Sequence, residues 1–331
     1  MAIAGAWTLT GRFDGPPIVP PADVVRRIAA LGEPISVDPV PLLAERALDA
    51  GFTRSGVTTC GGAGRLLRAA DGWVAVNLPR DDDVASVPAW LEVDDGGEPW
   101  PTIEATVPAR TTSELVDRAI LLGLPVSALG EVPPPPAPVA ATRVGDAPPS
   151  TGAPLVADLS SLWAGPLCTR LLADRGGDVV KVESPTRPDG ARGGPRPFFE
   201  RLHAGKRSLV CDLSSPELAD LLRRADVVVE ASRPRALRQL GIVAEEVRPR
   251  VWLSITGYGR ATDRVAFGDD AGVAGGLVAR DDRGPVFLAD AVADPLTGVA
   301  AAAAVIDALE QGGRWVLDAA LAGVAAHVAG E

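Results

Sequence analysis

The stretch from 155 to 183 constrains the fold of this chain more than any other. Its pattern predicts a buried strand over 155–159, a helix opened by Gly165-Pro166, a stop at Gly176-Gly177 and a second strand over 178–182. Proline needs no amide hydrogen in the first helical turn, and paired glycines accept the left-handed turn that ends a helix. Because both strands are short apolar runs, the stretch predicts a βαβ unit in a parallel sheet that is covered on both faces.

The same alternation of strands and helices continues to the end of the chain. Further strands are predicted at 208–211, 227–230, 251–256 and 315–318, with helices between them and an alanine-rich helix over 298–309. This spacing predicts an α/β fold with a doubly wound, parallel, Rossmann-like large domain. Ligands of such sheets bind beyond the carboxyl ends of the strands, where helix amino-termini lie.

The first part of the chain carries a different pattern. Asp71-Gly72 between two apolar runs predicts an antiparallel hairpin with strands over 65–69 and 73–78. Thr112 is a candidate N-cap for a helix that ends near Gly123. Apolar residues at helical spacing predict two further helices, over 22–33 and 40–50.

These patterns predict three units in the chain. A smaller α+β domain occupies 1–131, including an N-terminal segment able to pack on the large domain. A proline-rich linker covers 132–154, and the Rossmann-like large domain covers 155–331. The proline-rich stretch lies between two folded parts, so we interpret it as a spacer rather than a docking site for SH3-like modules.

Composition excludes several classes of function. Hydrophobic residues make up 47% of the 331 residues and charged residues 23%, which is typical of a globular protein. The net charge of −11 argues against nucleic acid as a partner, because neutralising phosphates needs clustered Lys and Arg. The chain shows no apolar run of the roughly 18 residues needed to span a membrane and no signal-peptide pattern. We therefore expect a cytoplasmic protein with no membrane association.

Cysteine and histidine content disfavours a metal or a histidine-based catalyst. Cys60, Cys168 and Cys211 lack CxxC spacing, and their odd number fits reduced thiols, with Cys168 on the inward face of the first helix of the βαβ unit. His203 and His327 are far apart in sequence, and no GxSxG elbow supports a triad. We expect no metal, and chemistry carried by carboxylates or backbone amides.

Ordered motifs run through the second half of the chain. They are Asp158-Leu159-Ser160, Ala164-Gly165-Pro166, Thr169 to Asp174, Val179 to Glu183, Gly205-Lys206-Arg207-Ser208, Asp212-Leu213, Glu230, Arg233-Pro234, Leu240-Gly241, Ser254 to Gly259 and Asp294-Pro295-Leu296-Thr297-Gly298. In this order they resemble the family III CoA-transferases, the carnitine and formyl-CoA transferase family that includes α-methylacyl-CoA racemases. Several ordered motifs are more specific than a lone glycine pattern.

The resemblance implies a permuted chain, or the tail of one copy joined to the head of the next. The segment 5–17 resembles one that normally precedes the catalytic aspartate, and 107–126 resembles the small domain that ordinarily follows the large one. Here both come first; for 5–17 the alternative is an unrelated Gly/Pro loop. Family members are interlocked dimers, so the resemblance also implies a homodimer, with a topology that permutation leaves open.

Asp294 is the candidate catalytic residue, because it falls on the position that carries the nucleophile in family transferases. The alternative is an N-cap for a helix that starts at Pro295. A carboxylate with the ordinary pKa of about 3.9 is ionised at pH 7 and can attack a thioester without a base. The implied reaction forms an aspartyl anhydride, releases CoA thiolate, and transfers CoA from the acyl-CoA to a carboxylic acid while water is excluded.

Further candidates follow from the resemblance and from residue type. For binding the co-substrate coenzyme A they are Ala164, Gly165, Pro166, Arg192, Lys206, Arg207 and Arg233. For backbone amides that stabilise an oxyanion they are Gly61, Gly62, Gly64, Gly275 and Gly276. Ordinary surface charge is the alternative role for the basic residues.

The chain departs from the family pattern at several positions. Ala231-Ser232 replace the usual Asn-Phe, Ser184 replaces an Arg, and Trp163 replaces a Gln. Asp269 stands nearest to the position of the racemase histidine, which disfavours a racemase, since two carboxylates supply acid and base only with strong pKa tuning. Two functions therefore stay open: a CoA-transferase, and a non-catalytic acyl-CoA-binding or partner subunit of the same fold. The acyl-CoA, the acceptor acid and the pathway are not defined by the sequence.

Overall fold

A seven-stranded sheet dominates the computed structural model, which describes residues 2–94, 97–232, 243–244 and 249–330. The strands are β1 (Gly64–Arg68), β2 (Trp73–Asn77), β3 (Val126–Ala128), β4 (Ala140–Gly145), β5 (Leu155–Leu159), β6 (Asp178–Glu183), β7 (Arg207–Val210), β8 (Val227–Glu230), β9 (Val251–Thr256), β10 (Val278–Asp281), β11 (Gly284–Phe287) and β12 (Arg314–Ala320).

Helices precede, connect and cover these strands. The described α-helices are α1 (Ala2–Thr8), α2 (Ala22–Gly32), α3 (Glu45–Ala50), α4 (Asp81–Leu91), α5 (Pro99–Thr106), α6 (Thr112–Leu122), α7 (Ala164–Ala173), α8 (Arg196–His203), α9 (Pro216–Arg224), α10 (Gly268–Ala274), α11 (Ala293–Gln311) and α12 (Leu321–Ala329). Short 3-10 helices lie at Glu33–Ile35, Pro41–Ala44, Val107–Ala109 and Gly190–Gly193.

The large sheet has the order β4-β12-β9-β8-β5-β6-β7. All strands from β12 to β7 are parallel, and β4 pairs antiparallel with β12 at one edge. Chain order therefore runs outward in both directions from β5 and β8, as in doubly wound sheets. The prediction of an α/β fold with a large, mainly parallel sheet is confirmed.

Neighbouring residues in the strands pack into different cores. Val156 belongs to a core on one face with residues of α7, α11 and α12, whereas Ala157 belongs to a core on the other face with residues of α9. Cys168 is fully buried in the first of these cores, as predicted. Both faces of the sheet are covered, which explains why its strands are continuous apolar runs.

The N-terminal part of the chain contributes to two different cores. Residues of β1 to β3 and α4 to α6 form a core of their own around Trp90 and Leu115. Trp7, Ile28 and Leu43 instead pack with the helices of the large sheet. The hairpin is confirmed, since β1 and β2 pair antiparallel around Asp71-Gly72. The division into three units stays a prediction.

Strand β4 lies inside the stretch predicted as a linker. Its residues are mostly exposed, because it adds to an edge of the sheet, with Ala140 opposite Asp318 and Gly145 opposite Arg314. The stretch lacks the large apolar groups that signal a strand, so the sequence analysis missed it. Residues 140–145 contain no proline and can pair through their backbone.

Candidate active site

A cleft of about 1060 Å³ opens at the carboxyl ends of the parallel strands. Residues that follow β5, β6, β8 and β9 line it, including Ser161, Ser184, Ser232 and Gly257. The cleft thus spans the point between β5 and β8 where the strand order reverses, which is where such sheets bind ligands. Pro79 and Arg80, which follow β2, add residues of the N-terminal part to its lining.

Asp294 lines this cleft from the first turn of α11. The helix begins at Ala293, one residue before Asp294, so the interpretation of Asp294 as an N-cap ahead of Pro295 is wrong. Its half-buried carboxylate accepts a hydrogen bond from the Gly268 N–H. A Cβ at Gly268 would lie 2.4 Å from Asp294 Oδ2, so this close approach needs glycine.

Two carboxylates and one guanidinium lie around the Asp294 carboxyl group. Burial raises the pKa of Asp294 to about 7 against the charge of Arg46, and Asp269 and Asp290 add to the rise. Burial, with a further contribution from Asp290, also raises the pKa of Asp269 to about 7, again against Arg46. Asp294 therefore changes its ionisation around neutrality, which corrects the expectation of an ordinary carboxylate that is fully ionised at pH 7.

The Lys206 side chain hydrogen-bonds to buried groups and does not line the cleft. This side chain is 1% exposed, and its Nζ donates to Asp158 Oδ2 at 3.1 Å, the Pro166 carbonyl at 2.9 Å and Thr169 Oγ1 at 2.7 Å. Burial lowers the pKa of Lys206, and Asp158 opposes this shift. With its three hydrogens used, Lys206 cannot also bind a phosphate in this arrangement.

Arg207 and Arg192 also lie outside the cleft lining. Arg207 stands at the start of β7, the amino end, and makes two hydrogen bonds of 2.8 and 2.7 Å to Asp178. Arg192 pairs with Glu183 at 2.7 Å and stacks over Phe199. Arg233 lies outside the described residues. Of the predicted coenzyme A residues, Ala164 and Gly165 line the cleft, while Pro166 is a buried third residue of α7.

The glycines predicted as oxyanion donors do not line the cleft. The Gly62 and Gly64 N–H groups donate to the carbonyl and hydroxyl of Thr59. Those of Gly275 and Gly276 donate to Ala271 and Val273 at the end of α10. Gly61 lies beside Phe52 and Arg46. None of the five is brought to Asp294 as a donor by the described structure.

Arg187 is a cleft residue that the sequence analysis missed. It is exposed, lines the cleft, and its guanidinium has no hydrogen bond or ion pair with any residue that the structure describes. Arg264 also lines the cleft but is held by Glu131 and stacks on Tyr258. Ser184 and Arg187 form an isolated β-bridge across the turn that follows Lys-Val-Glu. The position of Arg187 just after this motif was the one sequence signal that could have indicated it.

The departures from the family pattern cluster here too. Ser184, Ala231 and Ser232 line the cleft, whereas Trp163 is 3% exposed and packs edge-on against Phe198.

His203 is largely buried, and burial lowers its pKa to about 4. Within the described ranges, no cluster of three or more His, Cys, Asp or Glu is placed to hold a metal ion. Across the same residues, no helix has the length and apolar character of a membrane span.

Residues 154–331 match the model of CoA-transferase family III, and the chain belongs to this family. It is 35% identical over 212 residues to a succinate–glutarate CoA-transferase of Agrobacterium fabrum, which covers 55% of this chain and 53% of that protein. It is 34% identical over 176 residues to a formyl-CoA:oxalate CoA-transferase of Streptomyces avermitilis, covering 47% of this chain and 43% of that one.

The chain is also similar in part to a solved structure. A CAIB/BAIF family protein from Brucella suis has 29% identity and a TM-score of 0.48, covering 53% of this chain and 54% of that chain. This chain spans about half the length of the curated relatives named above, or less. Family membership supports CoA transfer at the level of the family, while permutation of the chain stays a prediction.

Proposed function

We propose that this protein is a CoA-transferase that moves CoA between an acyl-CoA and a carboxylic acid, with Asp294 as the nucleophile. One observation carries the proposal: the Asp294 carboxylate lines the cleft at the carboxyl ends of the parallel strands. The names of the two relatives reported above, each a CoA-transferase acting on carboxylic acids, support the reaction class. A homodimer, interlocked or not, stays an expectation.

In the proposed first step, one Asp294 oxygen attacks the thioester carbonyl carbon, the C–S bond breaks, and CoA leaves as a thiolate. This gives a mixed anhydride on Asp294. The acceptor carboxylate then attacks the Asp294 carbonyl carbon of the anhydride, and the first acid leaves as a carboxylate, which gives a second mixed anhydride. CoA thiolate attacks the acceptor's carbonyl carbon, the bond from that carbon to the Asp294 oxygen breaks, and the Asp294 carboxylate is restored. Because only the ionised carboxylate attacks, the first step should accelerate as pH rises through about 7.

Two features of the cleft suit an acyl-CoA. Arg187 offers a cation for a phosphate group of coenzyme A, a role that replaces the one predicted for Lys206 and Arg207. Ala164 and Gly165 begin α7, and the first amides of a helix have no partner within the helix. These amides are the donors that we propose for an oxyanion or a phosphate.

Trapping with hydroxylamine tests the nucleophile. The protein is incubated with succinyl-CoA and other short acyl-CoAs, hydroxylamine is added, and the peptide that contains Asp294 is weighed by mass spectrometry. An aspartyl anhydride gives a hydroxamate at Asp294, and Asp294→Asn should give none. An unmodified Asp294 peptide at every pH between 6 and 8.5, with all acyl-CoAs, contradicts the proposed reaction.

The non-catalytic alternative predicts a different pair of results. An acyl-CoA-binding subunit should gain thermal stability with millimolar acyl-CoA, because a ligand that binds the native state stabilises it, but should form no adduct.

A racemase is not proposed, because Asp269 does not line the cleft and its Oδ1 instead accepts the Ala291 N–H at 3.0 Å.

A further inference from the structure

The three residues 289–291, just before α11, have an unusual backbone. Ala289 has a φ of 52° and Ala291 a φ of 44°, so two alanines in three positions adopt the left-handed conformation. Their Cβ atoms make this conformation unfavourable, and glycine is its usual occupant. Such backbone persists where surrounding contacts determine it, and it clusters at functional sites.

Contacts from distant segments hold this turn. Thr10, fully buried, accepts a hydrogen bond at its Oγ1 from the Ala289 N–H at 2.9 Å. The Cys60 thiol lies 3.5 Å from the Ala289 carbonyl oxygen. On the other side, Asp269 Oδ1 accepts the Ala291 N–H. Side chains therefore accept the hydrogen bonds of both alanine amides, in place of the backbone carbonyls that would accept them in a helix or a strand.

The middle residue of the turn is fixed by a buried ion pair. Arg46 donates from Nε and Nη2 to the two oxygens of Asp290, at 2.9 and 2.5 Å, and Asp290 is fully buried. The Arg46 guanidinium also lies 5.4 Å from the Trp163 ring, at the residue that precedes α7. Because this ion pair is bidentate, it fixes the orientation of the Asp290 carboxylate as well as balancing its charge.

The turn is joined directly to the candidate nucleophile. The Asp294 N–H donates to the Ala291 carbonyl at 2.9 Å, and that same carbonyl lies against Gly268, whose N–H binds the Asp294 carboxylate. A change in the φ of Ala291 would therefore move the start of α11 and the Asp294 side chain with it.

We infer that Thr10 and Arg46 are positioning residues for Asp294, which act by holding the 289–291 turn in its left-handed conformation. The inference rests on the proposed role of Asp294. Residues of the segment 2–62 would thus help to position Asp294, although neither Thr10 nor Arg46 lines the cleft. The charged groups that face Asp294 are Arg46, Asp269 and Asp290, so the test must separate geometry from charge.

Thr10→Val and Thr10→Ser form the matched pair that does so without changing any charge. Valine has nearly the shape of threonine but cannot accept the Ala289 N–H, while serine keeps the hydroxyl. A second variant, Arg46→Gln with Asp290→Asn, removes the ion pair and leaves no lone buried charge. Its control is Arg283→Gln with Asp14→Asn, an exposed pair at 2.8 Å that joins the same two regions of the chain.

The first readout is transferase turnover. We expect Thr10→Val and the Arg46/Asp290 double variant to lower kcat at least tenfold with KM for acyl-CoA changed less than twofold. Thr10→Ser and the Arg283/Asp14 control should stay within twofold of the wild type. Losses that appear in KM, or equal losses for Thr10→Ser and Thr10→Val, overturn the inference.

The second readout does not depend on turnover. A diazoacetamide that esterifies protonated carboxyl groups is applied between pH 5 and 9, and the labelled Asp294 peptide is quantified. Thr10→Val should shift the pH midpoint or change the labelling rate at least threefold, whereas Thr10→Ser should match the wild type. If labelling responds in this way but no acyl-CoA turns over, the proposed function fails and the positioning role stands; unchanged labelling in an active enzyme overturns the positioning role alone.

Discussion

At the scale of single residues, Gly268 matters to the candidate site through the side chain that it lacks. A Cβ there would lie 2.4 Å from both the Ala291 carbonyl oxygen and Asp294 Oδ2. Gly268→Ala should therefore lower the free energy of unfolding by about 1–3 kcal/mol, the usual cost of overpacking, and abolish hydroxamate formation at Asp294. Urea denaturation and the trapping assay measure the two effects.

The matched control for this substitution is Gly193→Ala. A Cβ at Gly193 meets no heavy atom within 4 Å. This variant should keep both the unfolding free energy and the trapped hydroxamate. A Gly268→Ala protein that traps as much acyl group as the control would show that Asp294 does not depend on this close approach.

Asp270 carries a pH dependence of stability. It is 1% exposed, its Oδ1 accepts from Asn77 Nδ2 at 3.1 Å, and burial raises its pKa to about 7. The native state thus binds this proton more tightly than the unfolded chain, whose Asp pKa is about 3.9. Stability from this group is greatest below about pH 4 and falls by up to about 1.4 kcal/mol per pH unit as pH rises to about 7.

Asp270→Asn removes the charge and keeps the Oδ1 acceptor, so its unfolding free energy should decrease less between pH 5 and 8 than that of the wild type. Chemical denaturation across this range gives the slope. Asp282→Asn, at an exposed position, is the control and should keep the wild-type slope. Equal slopes for Asp270→Asn and the wild type would contradict a buried, proton-binding Asp270.

Sequence could single out Asp294 as a candidate, because a local motif surrounds it, but not the distant residues that pack around it. Arg46 meets Asp290 across 244 positions of chain, and nothing in its helix distinguishes it from a surface arginine. The burial of Lys206 was also beyond the sequence: Gly205-Lys206-Arg207-Ser208 has the composition of a surface turn, yet the folded chain encloses the Lys206 side chain. Pairing over such distances depends on tertiary packing.

At the scale of elements, the start of α6 shows what local rules can resolve. The sequence predicts Thr112 as the N-cap, but Thr111 holds this position. The Thr111 hydroxyl accepts a hydrogen bond from the Glu114 N–H, and the Glu114 carboxylate accepts one from the Thr111 N–H. This reciprocal pair is a capping box. The spacing Thr-x-x-Glu places the box at Thr111, so this boundary was within reach of the sequence.

Thr111→Ala should lower the free energy of unfolding by about 1 kcal/mol, since the first turn of α6 loses its cap. Thr112→Ala should cost less than about 0.5 kcal/mol, because Thr112 is a surface position whose hydroxyl lies 3.4 Å from Asp71. Guanidinium denaturation of the two variants decides between them. A larger loss for Thr112→Ala would reverse the assignment of the cap.

Most strands with apolar runs were located to within a residue or two, whereas β3, β4, β10 and β11 were not predicted. The runs at β5, β8 and β9 are buried on both faces, so hydrophobicity alone reveals them. An exposed edge strand has no such pattern and forms because β12 offers it unpaired backbone groups. Helix α11 begins at Ala293, two residues before the start predicted at Pro295, and ends at Gln311, two residues after the end predicted at Leu309.

At the scale of the whole molecule, several contacts join the two parts on either side of residue 152. Asn77 binds Asp270, Arg12 binds Asp281 at 2.7 Å, and β4 pairs with β12. A site-specific protease sequence inserted at Gly152, where an added Cβ would meet no atom within 4 Å, should give two fragments that elute together. Size-exclusion chromatography after cleavage tests this; fragments that separate without denaturant would contradict it.

The edge position of β4 also makes the chain unequally tolerant of changes in length. Extra residues within 132–138 would enlarge a loop, at a small entropic cost. One extra residue within Ala140–Gly145 would shift the pairing with β12 and carry Arg143 away from the Trp315 ring, which it now approaches to 6.0 Å. Natural or designed variants of different length should therefore differ before this strand and keep its six residues intact.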